Sequence, residues 1–372
     1  MKYVLLIASI LILTNCSDTN TVVIEEINEE APTDDAPLPS DQNTTLQVTQ
    51  VGTLPEAVSN NAVVEGFINN IPYLFSFGGI DDTKEYAGIH LRSYRYNIQT
   101  TTTDQLPDLP DTLGKIASAA SRIGNMIYIS GGYHVLSDGS EITSGKMHRY
   151  DIANNIFLED APDIPIPTDD HVQAVWNDQL IYLITGWSQT ANIPNVQIYD
   201  PIQNTWLSGT SVPGNDYRSF GASGTIVGNT IYYFGGASSN NGFGIQNQVR
   251  IGTIAPDNPT QITWNIITPD AIIHGYRMAA TTVHNELHWV GGSTNTYNFN
   301  GIAYDGSGGV SRSQRDLYTK TDIIEWQENT AIQLPMDLRG IANISETVKY
   351  LAGGMGANQT VSNAIYKLEW SD

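Results

Sequence analysis

Basic side chains recur along the chain at intervals that a repeated structure would bring together. They stand near the predicted starts of successive inner strands, in the order Lys115, His171, Arg218, Arg277 and Arg339, with Asn60 in the first such position. Arginine forks bind planar carboxylates through paired hydrogen bonds, so a ring of these groups would attract a carboxylated or sulfated sugar. The alternative is structural, because each cation would equally pair with a carboxylate of a neighbouring repeat.

Aromatic side chains accompany the basic positions and offer flat surfaces for sugar rings. Tyr217 and Tyr276 directly precede Arg218 and Arg277. A tryptophan after a strand packs into a core as often as it binds a ligand, which leaves two interpretations of Trp187. The predicted ligand-binding residues are Lys115, His134, His171, Trp187, Tyr217, Arg218, Tyr276, Arg277 and Arg339.

Carboxylates next to two of the basic residues would permit acid–base chemistry. Asp169 and Asp170 precede His171, and Asp216 lies two residues before Arg218. An acid–base pair near a ring oxygen is sufficient to exchange the anomers of a sugar. An isomerase is therefore an alternative to a binding module, although no motif assigns its catalytic residues.

Several other chemistries are excluded by the sequence. The only cysteine is Cys16, the seven histidines show no HExxH spacing, and Asp305-Gly306-Ser307 lacks the spaced acids of an EF-hand. Neither a P-loop nor a dinucleotide-binding fingerprint is present. The 39 acidic and 17 basic residues give a net charge of −22, the opposite of a nucleic-acid-binding footprint. We expect no metal, no cofactor and no nucleic-acid partner.

Six glycine-terminated strands must position the candidate residues. A β-branched or aromatic run ends in a glycine step at 74–79, 127–132, 181–186, 231–236, 287–292 and 349–354. Thr185 replaces the first glycine of the third run. A strand ending in tyrosine follows, and then a strand with a large apolar residue. Four short strands in each repeat of about 50 residues predict an all-β propeller.

This pattern resembles the kelch repeat, and the resemblance extends from residue 46 to residue 372. It implies a six-bladed kelch β-propeller that binds ligands at the mouth of its central channel. The copper oxidases of this group need a cross-linked Tyr–Cys pair, which a lone Cys16 in the signal region does not supply. The chain also looks like the secreted sialic-acid mutarotases (N-acetylneuraminate epimerases), because it combines six blades, a signal peptide and a long loop in the fifth blade before Thr321-Asp322-Ile323-Ile324-Glu325-Trp326.

The spacing of aromatic residues predicts how the ring closes. Tyr150 and Phe157 are seven residues apart, as are Tyr199 and Trp206, whereas the seventh position after Tyr366 would lie just past Asp372. The last blade therefore lacks its outer strand. We expect the segment from Thr45 to Pro55 to complete that blade and to remove the open sheet edges.

A long loop follows the fifth glycine pair and runs from Ser293 to about Lys320. Loops of this length in compact domains are commonly functional. We expect it to form a lid over the mouth of the channel.

The first 44 residues predict export and anchoring. The apolar run from Val4 to Leu13 is too short to span a bilayer and fits a signal peptide. Leu13-Thr14-Asn15-Cys16 resembles a bacterial lipobox, with Asn15 as its one departure; the alternative is an ordinary signal peptide. The predicted organisation is a signal peptide at 1–15, a lipid-anchored acidic tether at 16–44 and a kelch β-propeller at 45–372.

These features leave three functions open. The favoured one is a lipoprotein of the bacterial outer membrane, surface-exposed or periplasm-facing, that recognises a glycan or a partner protein at the propeller mouth, with an acidic sugar preferred. The second is a mutarotase or epimerase acting on an acidic sugar. The third is a scaffold subunit of an outer-membrane complex. Fold alone does not choose among them.

Overall fold

The structure is a computed structural model that describes residues 45–330 and 333–371. The predicted signal peptide, Cys16 and the tether lie outside these residues. None of the helices in the described ranges has the length and hydrophobicity needed to cross a bilayer.

Six sheets form the blades of a propeller; each has four antiparallel strands, and the first has a short fifth strand added in parallel. Strand β1 is Thr45–Thr53 and belongs to the last blade. The first blade contains β2 (Ala62–Ile68), β3 (Ile71–Ile80), β4 (Ile89–Asn97) and β5 (Thr102–Leu106). The second contains β6 (Ala119–Ile123), β7 (Met126–Ser130), a hairpin of β8 (Tyr133–Val135) and β9 (Glu141–Thr143), then β10 (Met147–Asp151) and β11 (Ile156–Phe157).

The middle blades repeat this arrangement. The third contains β12 (Val172–Trp176), β13 (Leu180–Ile184), a hairpin of β14 (Trp187–Ser188) and β15 (Ala191–Asn192), then β16 (Val196–Asp200) and β17 (Thr205–Gly209). The fourth contains β18 (Ser223–Val227), β19 (Thr230–Phe234), a hairpin of β20 (Ala237–Ser238) and β21 (Gly244–Ile245), then β22 (Val249–Ala255) and β23 (Asn258–Ile267).

The last two blades complete the ring. The fifth contains β24 (Ala279–Val283), β25 (Glu286–Val290), β26 (Asp316–Lys320) and β27 (Gln327–Asn329). The sixth contains β29 (Ala342–Asn343), β30 (Val348–Ala352), β31 (Ala364–Ser371) and β1, while the short β28 (Arg339–Gly340) pairs in parallel with β2 of the first blade. Short 3₁₀ turns lie in the connections, at Tyr86–Gly88, Asn215–Tyr217, Ser239–Asn241 and Ala357–Gln359.

The seven-residue aromatic spacing corresponds to a cross-strand pair. Tyr150 lies opposite Phe157, and Tyr199 lies opposite Trp206. In the sixth blade the residue opposite Tyr366 is Gln50, which β1 supplies. The predicted closure of the ring by the N-terminal strand is confirmed.

The glycine pairs join each blade to the next through the backbone. The second glycine of each pair donates its N–H to a carbonyl in the loop that enters the next blade, at N···O distances of 2.7–3.1 Å. The pairs are Gly79–Lys115, Gly132–Thr168, Gly186–Ser219, Gly236–Gly275, Gly292–Pro335 and Gly354–Val58. We call these six bonds the glycine clamps.

The first glycine makes room for the same carbonyl. A Cβ atom on Gly131 would lie 2.0 Å from the oxygen of Thr168, and Gly131 has a φ of +60°. Thr185 takes this position in the third blade, also at positive φ, and its hydroxyl accepts a hydrogen bond from the backbone N–H of Ser219. Close approach of neighbouring backbones is therefore the physical reason for the repeated glycines.

We predict that substitution of the first glycine of a pair destabilises the protein more than substitution of a glycine of similar φ that has open space around it. Gly235 has a φ of +72° and a Cβ there would lie 2.0 Å from the Gly275 oxygen, whereas Gly228 has a φ of +57° and open space around it. Gly228→Ala should cost about 1–2 kcal/mol of unfolding free energy from backbone strain alone. Gly235→Ala should cost about 1–3 kcal/mol more, because overpacking is added. Equal shifts in urea denaturation would contradict the clamp.

A buried histidine joins the fifth blade to strand β31 of the sixth blade. His288 Nδ1 lies 2.9 Å from one carboxylate oxygen of Asp316 and 3.0 Å from the other, and Trp370 of β31 donates to the same carboxylate. Tyr318 stacks on the imidazole, and Glu286 lies 3.7 Å from Nε2. Burial alone would lower the pKa of His288, but the two carboxylates raise it to about 9.

This raised pKa predicts a pH-dependent stability. A group whose pKa is higher in the folded state stabilises the fold below its unfolded pKa, which is about 6.5 for histidine, and the stabilisation is lost as the pH rises through about 9. The difference in urea midpoint between wild type and His288→Gln should therefore be larger at pH 6 than at pH 10. A constant difference across that range would contradict the buried ion pair.

Candidate functional site

One end of the central channel is closed by a ring of loop residues. One residue before each inner strand adopts positive φ, namely Asn60, Ala117, Asp170, Gly221, Arg277 and Asp337. Hydrogen bonds join neighbouring members around the channel. Asp170 N–H donates to the Ala117 carbonyl, Gly221 to Asp170, Arg277 to Gly221, Leu338 to Arg277, Asn60 to Asp337, and Ala117 to the Asn60 side chain. We call this circle the closing ring.

Charged side chains of the closing ring pair with one another across the channel. The Arg277 guanidinium lies 2.6 Å from Asp170 Oδ2 and 2.9 Å from Asp337 Oδ1. Ser59 donates to Asp337 Oδ2, and Asn60 donates to Oδ1, the oxygen that also accepts from Arg277. Burial alone would lower the pKa of Arg277, but Asp170, Tyr276 and Asp337 hold it well above its usual range. Arg277 therefore fits the structural interpretation, an ion pair between blades.

The loop after the fifth glycine pair covers this end. Tyr297 is fully buried, and its ring and that of Tyr276 lie 5.4 and 5.2 Å from the Arg277 guanidinium carbon. Tyr297, with Ala303 and Val310, packs in one cluster with Phe220 and Met336 of the entering loops.

The cover extends over the opposite side of the ring as well. Phe299 packs against the cluster that contains Ile116, Ala117 and Tyr133 of the first two blades. The loop therefore lies across the whole circle, as expected of a lid. The predicted mouth is covered on this face.

The predicted basic residues do not occupy equivalent positions, which corrects the expected ring of cations. Asn60 and Arg277 are members of the closing ring. Lys115, however, lies two residues before Ala117, and Arg218 lies three residues before Gly221. His171 and Arg339 follow their ring members by one and two residues. Because side-chain direction depends on position in the loop, these offsets separate Lys115, Arg218 and Arg277 from one another and from the pair of His171 and Arg339.

Lys115 and His134 lie together outside the channel, between the first two blades. Lys115 Nζ is 2.9 Å from Asp111 and 2.6 Å from His148 Nε2, and His134 Nδ1 lies 2.9 Å from the Gly114 carbonyl oxygen. Lys115 is 1% exposed. Burial lowers its pKa, and Asp111 opposes that shift. This cluster holds the entering loop of the second blade.

The predicted aromatic residues are divided in the same way. Trp187 is half-buried on the covered face, edge-on to Phe220 and 5.6 Å from Phe243. Tyr217 packs against the core between the third and fourth blades, and its carbonyl accepts from Tyr233. Tyr276 lies beneath the lid with Arg277.

His171 and Arg339 meet at the inner end of a cavity of about 450 Å³. We call this cavity the central chamber. Its walls are the inner strands of all six blades, and small apolar residues such as Ala120, Ala174 and Ala279 line much of it. The Arg339 guanidinium donates to the His171 carbonyl at 2.9 Å and lies 3.4 Å from Asp170 Oδ1. Arg339 is therefore in direct contact with the closing ring.

Both side chains at this inner end have unused hydrogen-bonding atoms. Arg339 Nε and His171 Nδ1 are two of the buried side-chain atoms that have no hydrogen-bond partner among the described residues. Burial lowers the pKa of His171 to about 3, so its ring is neutral at pH 7. Burial also lowers the pKa of Arg339, and Asp170 opposes this.

The other end of the chamber is polar and reaches solvent. Glu65 accepts from Arg122 at 3.3 Å and from the Asn343 backbone at 3.0 Å, which ties blades one, two and six together. Thr281 donates to the Asn343 side chain at 2.6 Å. Asp178 and Asn343 are exposed at this rim.

The predicted acid–base groups at His171 are engaged with other partners. Asp169 accepts from Thr143, Asp170 pairs with Arg277, and His171 Nε2 lies 3.1 Å from the Ser130 hydroxyl. Asp216 contributes its backbone carbonyl to Arg250. Among the described residues, no group of three or more metal-ligating side chains comes together.

Sequence reasoning missed the polar end of the chamber. Glu65 and Arg122 belong to no motif, and Lys349 opens the sixth glycine-terminated run without any sign of a binding role; each lies in a strand that otherwise looks largely apolar. The available signal was that a polar residue interrupts an inner or second strand at the end away from the glycine pair.

Comparison with known proteins supports the fold. No family model matches the chain. Kelch-like protein 15 of Gallus gallus is 28% identical over 135 residues, 36% of this chain and 25% of that protein. Kelch-like protein 36 of Mus musculus is 22% identical over 171 residues, 46% of this chain and 26% of that protein. The matches thus span about a quarter of the length of these curated relatives.

A solved structure shares the whole architecture. The structure of YjhT matches with a TM-score of 0.67 at 13% identity, covering 87% of this chain and 100% of that one. At this identity the likeness shows the fold alone. The kelch resemblance and the six-bladed propeller are therefore confirmed.

Proposed function

We propose that this protein is a binding module that takes a small carboxylated ligand, preferably an acidic sugar, into the central chamber. The observation that carries the proposal is Arg339, a buried cation at the inner end of a ligand-sized cavity with donors left over. Arg277 is excluded as the ligand's partner because two carboxylates already occupy its guanidinium.

The hydrogen bonding of Arg339 supports a missing acceptor. A guanidinium has five N–H donors. The recorded contacts of Arg339 use one donor for the His171 carbonyl and bring another within 3.4 Å of Asp170, which leaves Nε without a partner. Buried donors without acceptors are costly, and a carboxylate matches the guanidinium fork. A carboxylated ligand would accept from the unpartnered Nε and would match the geometry of the guanidinium.

His171 and the size of the chamber support a sugar. A neutral imidazole with an unused nitrogen can exchange a hydrogen bond with a hydroxyl group. The volume of about 450 Å³ lies within the usual range of small-molecule sites. Gln173, near the inner end, and Thr282, toward the open end, add further hydroxyl-binding groups.

Calorimetric titration with glucuronic and sialic acids tests the proposal. Arg339→Gln should weaken binding about 10- to 100-fold, the loss expected for a hydrogen bond to a charged group. Arg339→Lys should bind more tightly than Arg339→Gln and more weakly than wild type. Arg218→Gln should bind like wild type, because Arg218 lies outside the chamber lining.

Two results would contradict this assignment. If Arg339→Gln melts like wild type and still binds with undiminished affinity, the chamber is not the binding site. If Arg218→Gln lost affinity and Arg339→Gln did not, the ligand would bind at the channel mouth predicted from the sequence instead.

We further propose that Cys16 carries a lipid that anchors the protein to the bacterial outer membrane through the tether. The support is the lipobox-like Leu13-Thr14-Asn15-Cys16 and the acidic segment after it. Cys16→Ser should abolish incorporation of a labelled fatty acid and move the protein from the membrane to the soluble fraction. A Cys16→Ser protein that stays membrane-bound and labelled would disprove the anchor.

A further inference from the structure

We infer that the central chamber accepts the end of an acidic oligosaccharide chain, with a second acidic group held by Lys349. This inference deepens the proposed function and rests on it. It joins two observations that the binding of a single sugar does not require: a second buried cation along the chamber wall, and a chamber closed at one end.

Lys349 is a buried cation with unused donors. It lines the chamber and is 4% exposed. Its ammonium group donates to the Ser345 carbonyl at 2.8 Å, which uses one of three donors. Burial lowers the pKa of Lys349, while Glu346 and Glu65 oppose the shift. A bound anion would compensate the burial of this charge.

The separation of the two cations indicates a chain rather than one sugar. Lys349 lies directly beside Asn343 in the sixth blade, and Asn343 is four residues along the chain from Arg339. At about 3.3 Å per extended residue, the two backbone positions are at most about 13 Å apart. This distance suits acidic groups on different sugars of a short oligomer.

The closed end fixes how such a chain must enter. The closing ring, the Arg277 ion pairs and the buried lid stand beyond Arg339. A ligand therefore enters from the rim with Glu65 and Arg122, and only a chain end can reach Arg339. Internal stretches of a long polymer would be excluded.

A sugar chain suits the wall better than an acidic peptide. The lining between the two cations offers amide and hydroxyl side chains such as Gln173, Thr281 and Thr282. Small residues such as Ala120 and Gly224 alternate with aliphatic side chains such as Val64 along the rest of the lining. Hydroxyl-rich ligands match such a surface.

The test is calorimetry with uronic-acid oligomers of one to six residues. Affinity of wild type should rise about tenfold between the monomer and the trimer and then stay level. Lys349→Met should bring the trimer-to-monomer affinity ratio close to one, whereas Arg339→Gln should weaken binding at every length. Lys320→Met, which removes an exposed lysine of the fifth blade outside the chamber lining, should behave as wild type.

The outcomes separate this inference from the function on which it rests. Equal affinity for monomer and trimer, or an unchanged ratio in folded Lys349→Met, overturns the chain-end inference while the chamber remains a monosaccharide site. Absence of binding at every length overturns both. Tighter binding of an acidic peptide amide than of the trimer overturns the choice of a sugar chain.

Discussion

The structure depends on one repeated contact, the hydrogen bond from the second glycine of each pair to a carbonyl of the next blade. The contact needs close approach of two backbones, which a side chain at the first glycine would crowd; the third blade accommodates Thr185 there because its hydroxyl accepts from the Ser219 N–H. It fixes the loop entering each blade, and that loop carries the positive-φ residue of the closing ring. Blade order, channel closure and the position of each inner strand therefore follow from a single geometry.

This geometry decides which charges remain for a ligand. The closing ring brings Asp170, Arg277 and Asp337 together, although Arg277 is 107 and 60 residues from its partners in sequence. Their charges are consumed within the ring, and the lid buries them further. Arg339 stands two residues deeper and is only partly paired, so the chamber contains a buried positive charge with a donor left for a ligand.

The sequence was sufficient for the fold because the fold is periodic. Six glycine steps and the spacing of Tyr150 from Phe157 predicted the blades and the closing strand. The site was harder, because loops of unequal length hide which residue of each repeat faces the channel. Lys115 and Arg218 looked equivalent to Arg277, yet offsets of two and three residues place them elsewhere. Pairing partners such as Asp170 and Asp337 carried no local signal.

The most direct test of this account is a crystal structure of the protein with glucuronic acid bound. The account predicts the ligand inside the central chamber, with its carboxylate paired to the Arg339 guanidinium and a hydroxyl near His171. A ligand bound instead on the covered face, against Trp187 and the lid, with an empty chamber, would contradict it.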